Sequence, residues 1–264
     1  MIANKYDLIS KIGSGAFGAI YKGQNIRTGE PVAIKVEPLK HETNLLKNEA
    51  RIYQYLKGGV GIPQVKWFGV DDANNYMVIN LLGESLQNNI NTYGPFSLLN
   101  AISIGIQMIE RIKYVHECGL IHRDVKPDYF LFGLNEQQER LYIIDFGFCK
   151  SIENVTNAKK TTGLIGSLTY ASLNAHNYTE LSYRDDLESL GYMLIYFYQG
   201  YLEWQKMEDV TTIIQMKQAV VNNEKIPIVL RDFIKKVRQL GFKEMPDYNS
   251  LISLFKREIE NFLE

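Results

Sequence analysis

The sequence contains too few cysteines for a disulfide framework. Cysteine occurs twice in 264 residues, at Cys118 and Cys149. Two cysteines do not make a disulfide scaffold, and their spacing does not match a zinc site. We therefore expect both to be free thiols in a reducing compartment.

The sequence also lacks an excess of either charge. Lys and Arg together number 29 and Asp and Glu 30, which gives a net charge of -1. A dedicated nucleic-acid binder needs surplus cations to neutralise phosphates. We therefore expect no nucleic-acid partner.

Neither a long apolar run nor a secretion signal is evident. The most apolar stretch, residues 190–198, is too short to cross a bilayer. The first ten residues lack the charged-then-apolar layout of a signal peptide. We therefore expect an intracellular protein, cytoplasmic or nuclear, which is monomeric and has no membrane partner.

The apolar pattern changes along the chain, and this change predicts two lobes. Alternation predicts strands at residues 6–12, 19–24, 31–37, 67–70 and 76–80, with one helix at 44–56. After Gly83 the pattern predicts helices at 99–117, 185–199, 211–222, 229–239 and 248–262, and a buried strand at 141–144. We therefore predict an α+β fold with a small β-rich N-lobe, residues 1–82, and a larger helical C-lobe, residues 83–264.

A glycine-rich sequence, GSGAFG at residues 13–18, lies between the first two predicted strands. Three interpretations compete: a plain hairpin, a dinucleotide fingerprint, and a phosphate-covering kinase loop. The dinucleotide fingerprint needs a helix directly after the glycines, whereas residues 19–23 are typical of a strand. Glycines also let the backbone approach a phosphate closely.

Lys35 ends the apolar run VAIK, 17 residues beyond Gly18. A lysine here is usually a solvated strand end, but after a phosphate loop it matches the kinase lysine that pairs with the α- and β-phosphates. Glu49, on the next predicted helix, is within reach of it. Taken alone, Glu49 would be assigned to a solvated helix face.

Two further motifs follow, of which HRDVKP is far more specific, whereas DFG by itself is a common tripeptide. HRDVKP at residues 122–127 contains Asp124, which in a kinase accepts the proton of the substrate hydroxyl, and Lys126, which faces the transferred phosphate. DFG at 145–147 follows the buried strand, where Asp145 is placed to hold Mg²⁺. The motifs occur in the order and context of a protein kinase.

Five further stretches narrow the comparison: GGVGIP at 58–63, LLGESL at 81–86, YIIDFG at 142–147, YASLN at 170–174 and RDDLESLGY at 184–192. In these stretches, and over nearly its whole length, the chain resembles the casein kinase 1 family of Ser/Thr protein kinases. Residue usage is typical of AT-rich coding, as in parasites and large viruses, so we expect a divergent member. For a viral protein, the location would be the host cell.

The resemblance implies transfer of the ATP γ-phosphate to a protein Ser or Thr, with Mg²⁺ or Mn²⁺. It implies Asp124, Lys126 and Lys35 as catalytic residues and Asp145 as metal ligand. It implies ATP contacts from Ile12, Gly13, Gly15, Gly18, Ile20, Ala33, Lys35, Glu49, Leu82, Leu131 and Ile144. Ile79 would be the gatekeeper, and Asp186 would buttress the catalytic loop.

Two positions depart from the family pattern. Tyr129 stands where the family has the Asn that binds a second Mg²⁺, and a phenol is a poor Mg²⁺ ligand. Loss of one preorganised group typically costs about 10²–10³ in kcat. Thr169 stands where the family has an Arg for acidic substrates. We therefore expect either a slow or one-metal kinase, or a pseudokinase that acts as a binding module. A kinase-like small-molecule phosphotransferase is disfavoured by the DFG and SLN sequences.

Overall fold

A computed structural model describes residues 2–15, 18–39, 45–156 and 160–263. Contacts within the chain divide it into two units. The first unit comprises Met1–Glu84 and Leu131–Gly147, and the second comprises Ser85–Phe130 and Phe148–Glu264. The lobe limits predicted from sequence, 1–82 and 83–264, did not group residues 131–147 with the first unit.

The first unit contains a five-stranded antiparallel sheet and one helix. Its elements are β1 (Tyr6–Gly15), β2 (Gly18–Asn25), β3 (Pro31–Pro38), α1 (Leu45–Tyr55), β4 (Val65–Val70) and β5 (Asn74–Asn80). The strand order is β1-β2-β3-β5-β4. The period-two alternation of apolar residues had predicted all five strands, and this prediction is confirmed. The helix predicted at 44–56 is also found, although residue 44 lies outside the described residues.

The two faces of this sheet have different roles. One face forms an apolar cluster made by Ile2, Tyr6, Val32, Ile34, Tyr76 and Val78. On the other face, Ile20 lies opposite Lys35, and Ala33 lies opposite Ile79. Since directly opposed residues and residues two apart share a face, Ile20, Ala33, Lys35 and Ile79 lie together on this second face.

The second unit is mostly helical. Its helices are α2 (Leu86–Tyr93), α3 (Leu98–Glu117), α4 (Leu173–His176), α5 (Tyr183–Gln199), α6 (Val210–Ala219), α7 (Ile228–Arg238) and α8 (Tyr248–Leu263). It also contains the short strands β6 (Leu120–Ile121) and β9 (Lys150–Ser151), which pair with each other. Two further short strands, β7 (Phe130–Phe132) and β8 (Leu141–Ile143), pair with each other and, apart from Phe130, belong to the first unit. The five long helices had been predicted from their apolar period. Within the described residues, no helix has both the length and the apolarity needed to span a bilayer.

Helix α2 escaped the sequence prediction because its residues are mostly polar, with Leu86 and Ile90 as its buried positions. Its start is fixed locally. The side chain of Ser85 accepts a hydrogen bond from the Asn88 backbone N–H at 3.1 Å. Ser is a favoured residue at this capping position because it satisfies one of the free N–H groups of the first turn.

Helix α5 is buried along nearly its whole length and organises the second unit. Its Asp185 carboxylate accepts hydrogen bonds from the Ser182 backbone N–H at 2.7 Å and from the Ser172 hydroxyl at 2.6 Å. Burial raises the pKa of Asp185 to about 6, against these hydrogen bonds. Asp185 therefore caps its own helix and ties the start of α4 to it.

A buried polar network joins α5 to α7. The Nε of Arg238 donates to Glu188 at 2.9 Å, and its guanidinium also donates to the Tyr192 hydroxyl at 2.8 Å. The Tyr192 hydroxyl in turn donates to Glu188 at 2.6 Å. The side chain of Glu188 is only 4% exposed, so Arg238 provides the countercharge that makes its burial tolerable.

We expect Arg238→Ala to lower the free energy of unfolding by about 3–5 kcal/mol, because Glu188 would remain buried without a cationic partner. Urea denaturation at pH 7 measures this loss. Lys235→Ala on the same helix is the control, because the Lys235–Asp232 pair is largely exposed. It should change stability by less than about 0.5 kcal/mol. An equally small effect of Arg238→Ala would contradict the role assigned to the network.

A second buried cation, Lys217 on α6, lies under the segment that precedes α4. Its Nζ donates to the carbonyl oxygens of Leu168 at 3.1 Å and Ala171 at 2.6 Å, and to Nε2 of His176 at 2.9 Å. Burial lowers the pKa of Lys217 to about 7. Burial and the neighbouring Lys217 charge lower the pKa of His176 to about 4. His176 is therefore neutral at pH 7 in the folded chain, and its Nε2 accepts the hydrogen bond from Lys217.

We expect His176 to make the fold sensitive to acid. Because its pKa is about 4 in the folded chain and 6.5 ordinarily, the unfolded chain binds more protons in this interval. Stability should therefore fall as the pH is lowered from 6.5 to 4. His176→Gln keeps an acceptor for Lys217 but does not titrate, so its stability should fall less over this interval. Denaturation midpoints measured across pH 4–7 provide the test, and parallel curves for both proteins would exclude this role.

Candidate active site

The first unit brings together three charged residues that lie far apart in sequence. Nζ of Lys35 is 2.7 Å from Oε2 of Glu49 and 3.3 Å from Oδ2 of Asp145. Burial by itself would lower the pKa of Lys35, but the two carboxylates raise it above its ordinary value. Lys35 is therefore held as a cation on the sheet face that also carries Ile20 and Ala33.

Helix α1 positions the acidic residues of this cluster. Glu49 lies on its buried face with a side chain 3% exposed. The Asp145 backbone N–H donates to the hydroxyl of Tyr53, also on α1, at 3.1 Å. Asp145 adopts a φ of 64°, an uncommon value for a non-glycine residue. The buried ring of Phe146 packs edge-on against Tyr53, with centroids 4.9 Å apart, and thereby supports this strained turn.

The predicted phosphate loop connects the antiparallel strands β1 and β2. Gly15 and Gly18 pair across the two strands, and Ala16 and Phe17 lie outside the described residues. A Cβ at Gly18 would lie 2.0 Å from the carbonyl oxygen of Val36 on β3. Gly18 is therefore required by the close approach of two backbones, whatever ligand the loop covers.

The apolar residues proposed for ATP occupy different settings in the first unit. Ile20 and Ala33 share the sheet face of Lys35. Ile12 lies at an irregularity between β1 and β2 and is 52% exposed. Leu82, Leu131 and Ile144 are partly buried. The backbone N–H of Gly83 donates to Phe132 O at 2.8 Å, which fixes the segment after Leu82 alongside β7.

The second unit carries the catalytic-loop residues. Nζ of Lys126 is 3.0 Å from Oδ2 of Asp124, whose side chain is 4% exposed. The other oxygen, Oδ1, is buried and has no hydrogen-bond partner among the described residues. Such an orphaned acceptor is costly in a folded protein, and a hydroxyl donor from a bound molecule would satisfy it.

At Gly166, the segment that precedes α4 passes close to Arg123 and Asp124. Gly166 has a φ of 90°, and a Cβ there would lie 2.7 Å from Arg123 O and 3.4 Å from Oδ1 of Asp124. Sequence analysis did not single out this glycine. Both its positive φ and the missing side chain are needed to let the segment pass beside Asp124.

Asp186 fixes the backbone of the loop, which is the contact expected of it. Its Oδ2 accepts from the His122 N–H at 2.7 Å, and its Oδ1 accepts from the Arg123 N–H at 2.8 Å. Burial tends to raise the pKa of Asp186, but the hydrogen bond from His116 and the loop contacts hold it below its ordinary value. Asp186 therefore stays ionised and holds the loop by charge-assisted hydrogen bonds.

Tyr129 presents its ring, and not a metal-binding group, to this loop. Nζ of Lys126 lies 4.1 Å from the centroid of the Tyr129 ring. The neighbouring carboxylate, Asp128, is exposed. Within the described ranges, no three His, Cys, Asp or Glu side chains are grouped as a metal site. A single carboxylate such as that of Asp145 would supply one ligand to a divalent cation, with phosphate and water oxygens as the others.

The family of this chain is established by a match over most of its sequence. A sequence model described as the protein kinase domain matches residues 6–253. The chain belongs to this family. A protein kinase domain uses ATP and a divalent metal to phosphorylate a protein. The five-stranded sheet and the helical second part agree with the two-lobed kinase fold predicted from the sequence.

We expect Glu49→Gln to weaken ATP binding by about tenfold, because Lys35 would lose its charged partner at 2.7 Å and be less well placed for the phosphates. Isothermal titration calorimetry with ATP and Mg²⁺ measures the affinity. Glu84→Gln, an exposed change in the same unit, is the control and should bind ATP as the parent does. Equal affinities of Glu49→Gln and the parent would contradict the assignment.

Proposed function

We propose that this kinase domain is a Ser/Thr protein kinase of the casein kinase 1 type, which transfers the ATP γ-phosphate to a protein hydroxyl. The observation that carries the proposal is the intact pair of Asp124 and Lys126. The acceptor Oδ1 is buried and unpartnered among the described residues, and a lysine two positions later holds Oδ2. A lysine at this position is typical of Ser/Thr kinases and not of Tyr kinases.

In the proposed reaction Asp124 orients the substrate hydroxyl and accepts its proton through Oδ1. Lys126, held at Oδ2, stabilises negative charge on the phosphoryl group in transfer. Lys35 binds the non-transferred phosphates, with Glu49 keeping it in place. A divalent cation at Asp145 would neutralise phosphate charge.

The substrate of this kinase need not be acidic. The family's arginine is replaced by Thr169, whose carbonyl oxygen accepts from Nε1 of Trp204 at 2.7 Å. The nearby cation Lys217 is fully buried and donates to main-chain carbonyls. Since neither position offers an exposed cation to a substrate, we propose that acidic recognition is weaker than in the casein kinase 1 family.

One observation favours a second function, that of a pseudokinase acting as a binding module. Tyr129 replaces the Asn that binds the second metal, and its ring contacts Lys126. Loss of that ligand lowers kcat by about 10²–10³. We favour the active kinase, because the proton acceptor and the metal ligand Asp145 are both present and losses of this kind are graded.

The two functions are separated by phosphate transfer from γ-labelled ATP to casein and to a neutral protein, at varied Mg²⁺ and Mn²⁺. We expect label on Ser or Thr, and we expect Asp124→Asn to reduce kcat at least about 10²-fold, because the proton acceptor is lost. Asp128→Asn, which removes the exposed neighbouring carboxylate, is the matched control and should retain parental turnover.

Each contrary result has a defined meaning. Background turnover in the parent chain, beside clear turnover in Tyr129→Asn, would show a pseudokinase on an otherwise intact frame. Phosphotyrosine in the product would overturn the Ser/Thr assignment. Turnover that persists in Asp124→Asn would remove Asp124 from the mechanism.

A further inference from the structure

The ring of Tyr129 and the carboxylate of Asp124 hold the same ammonium group. Nζ of Lys126 is 3.0 Å from Oδ2 of Asp124 and 4.1 Å from the centroid of the Tyr129 ring. A cation within about 6 Å of an aromatic centroid is attracted by the negative face of the ring. Lys126 thus has two attractive contacts, one ionic and one aromatic.

The local backbone makes this contact geometrically natural. Pro127–Tyr129 forms a short 3-10 helix that begins after Lys126, and the Tyr129 N–H donates to Lys126 O at 3.0 Å. This hydrogen bond closes a turn between residues 126 and 129, and their side chains lie close to each other. Pro127 favours the start of the turn because its φ is fixed and it has no N–H to satisfy.

The ring itself is held by its surroundings. Tyr129 is partly buried, and its centroid lies 6.2 Å from that of His122, which is fully buried. Helix α2 packs against the 3-10 turn. A fixed ring can orient a flexible lysine, whereas a mobile one would only follow it.

The ring contact matters because the side chain of Lys126 is otherwise free to move about the Asp124 carboxylate. A lysine has a flexible four-carbon side chain, and the ionic contact to Oδ2 alone allows its ammonium to swing about the carboxylate. The ring restricts that swing from a second direction. The side chain of Lys126 is 23% exposed, so the ammonium is partly desolvated, and cation–π attraction is stronger for a desolvated cation.

We propose that Tyr129 is a positioning residue for Lys126: its ring fixes the ammonium beside Asp124, at a site where other kinase domains place a metal-binding amide. The inference rests on the proposed kinase function for its catalytic consequence. The contact between the ring and the ammonium does not depend on that function. In this chain, Lys126 supplies a positive charge at this point of the loop.

The contact is tested first without nucleotide or metal, by NMR of protein labelled at the lysine side chains, with Lys126→Arg to assign the resonance. We expect the Lys126 ε-methylene signal to be shifted upfield by the ring in the parent and in Tyr129→Phe. It should return to the ordinary lysine position in Tyr129→Leu. An unshifted parent signal would overturn the proposal, whether or not the chain is an active kinase.

Kinetics test the consequence. We expect Tyr129→Leu to lower kcat by about 2- to 30-fold with little change in the KM for ATP, and Tyr129→Phe to retain parental kcat. Phenylalanines of increasing ring fluorination at position 129 keep the shape but weaken the negative face, so kcat should fall stepwise along the series. Tyr93→Leu, an exposed change on α2, is the control.

The outcomes separate the positioning role of Tyr129 from the proposed kinase function. A kcat that is unaffected by fluorination would reduce Tyr129 to a packing residue and overturn the proposal. A rise in KM for ATP with unchanged kcat would do the same, because it would indicate a role in nucleotide binding. No turnover in any variant, combined with the ring-shifted Lys126 signal, would reject the kinase function and leave the positioning contact established.

Discussion

The catalytic loop depends on one buried carboxylate. Asp186, 2% exposed, accepts hydrogen bonds from the backbone N–H groups of His122 and Arg123 and lies 2.9 Å from Nε2 of His116. Nδ1 of His116 is in turn 2.6 Å from the hydroxyl of Tyr248. An ionised group this deeply buried is tolerable only when donors surround it. The loop is thereby connected to helices α3, α5 and α8.

This constraint also explains the unusual backbone of the loop. Arg123 has a φ of 69°, which costs energy in a residue with a side chain. Its N–H group is held by Asp186, and its Nε donates to Phe148 O at 2.6 Å. Because the backbone N–H and the Nε of Arg123 are both hydrogen-bonded, its strained backbone conformation is stabilised. This conformation turns the chain immediately before Asp124. The position of Asp124 is therefore determined by hydrogen bonds made one and two residues earlier in the chain.

Much of this could be predicted from the sequence, because the signals are local. Alternation identified the strands, the helical period identified the long helices, and the motifs identified Lys35, Asp124 and Asp145. The contact between Lys35 and Asp145 was not predicted, since 110 residues separate them in the sequence. Helix α2 was missed because it has few apolar positions. The Lys126–Tyr129 contact was not predicted, because the sequence interpretation treated Tyr129 only as the loss of a metal-binding Asn. The contact that its ring makes with Lys126 was not considered.

The segment before α4 shows why such contacts escape sequence reasoning. Its main-chain carbonyls at Leu168, Thr169 and Ala171 accept hydrogen bonds from Lys217 and from the indole of Trp204. A carbonyl is present at every position, so the side chains of the segment carry no trace of these bonds. The same holds for Arg123, which binds the carbonyl of Phe148. Because Lys217 and Trp204 bind the backbone of the segment and not its side chains, these anchors do not depend on which side chain stands at position 169.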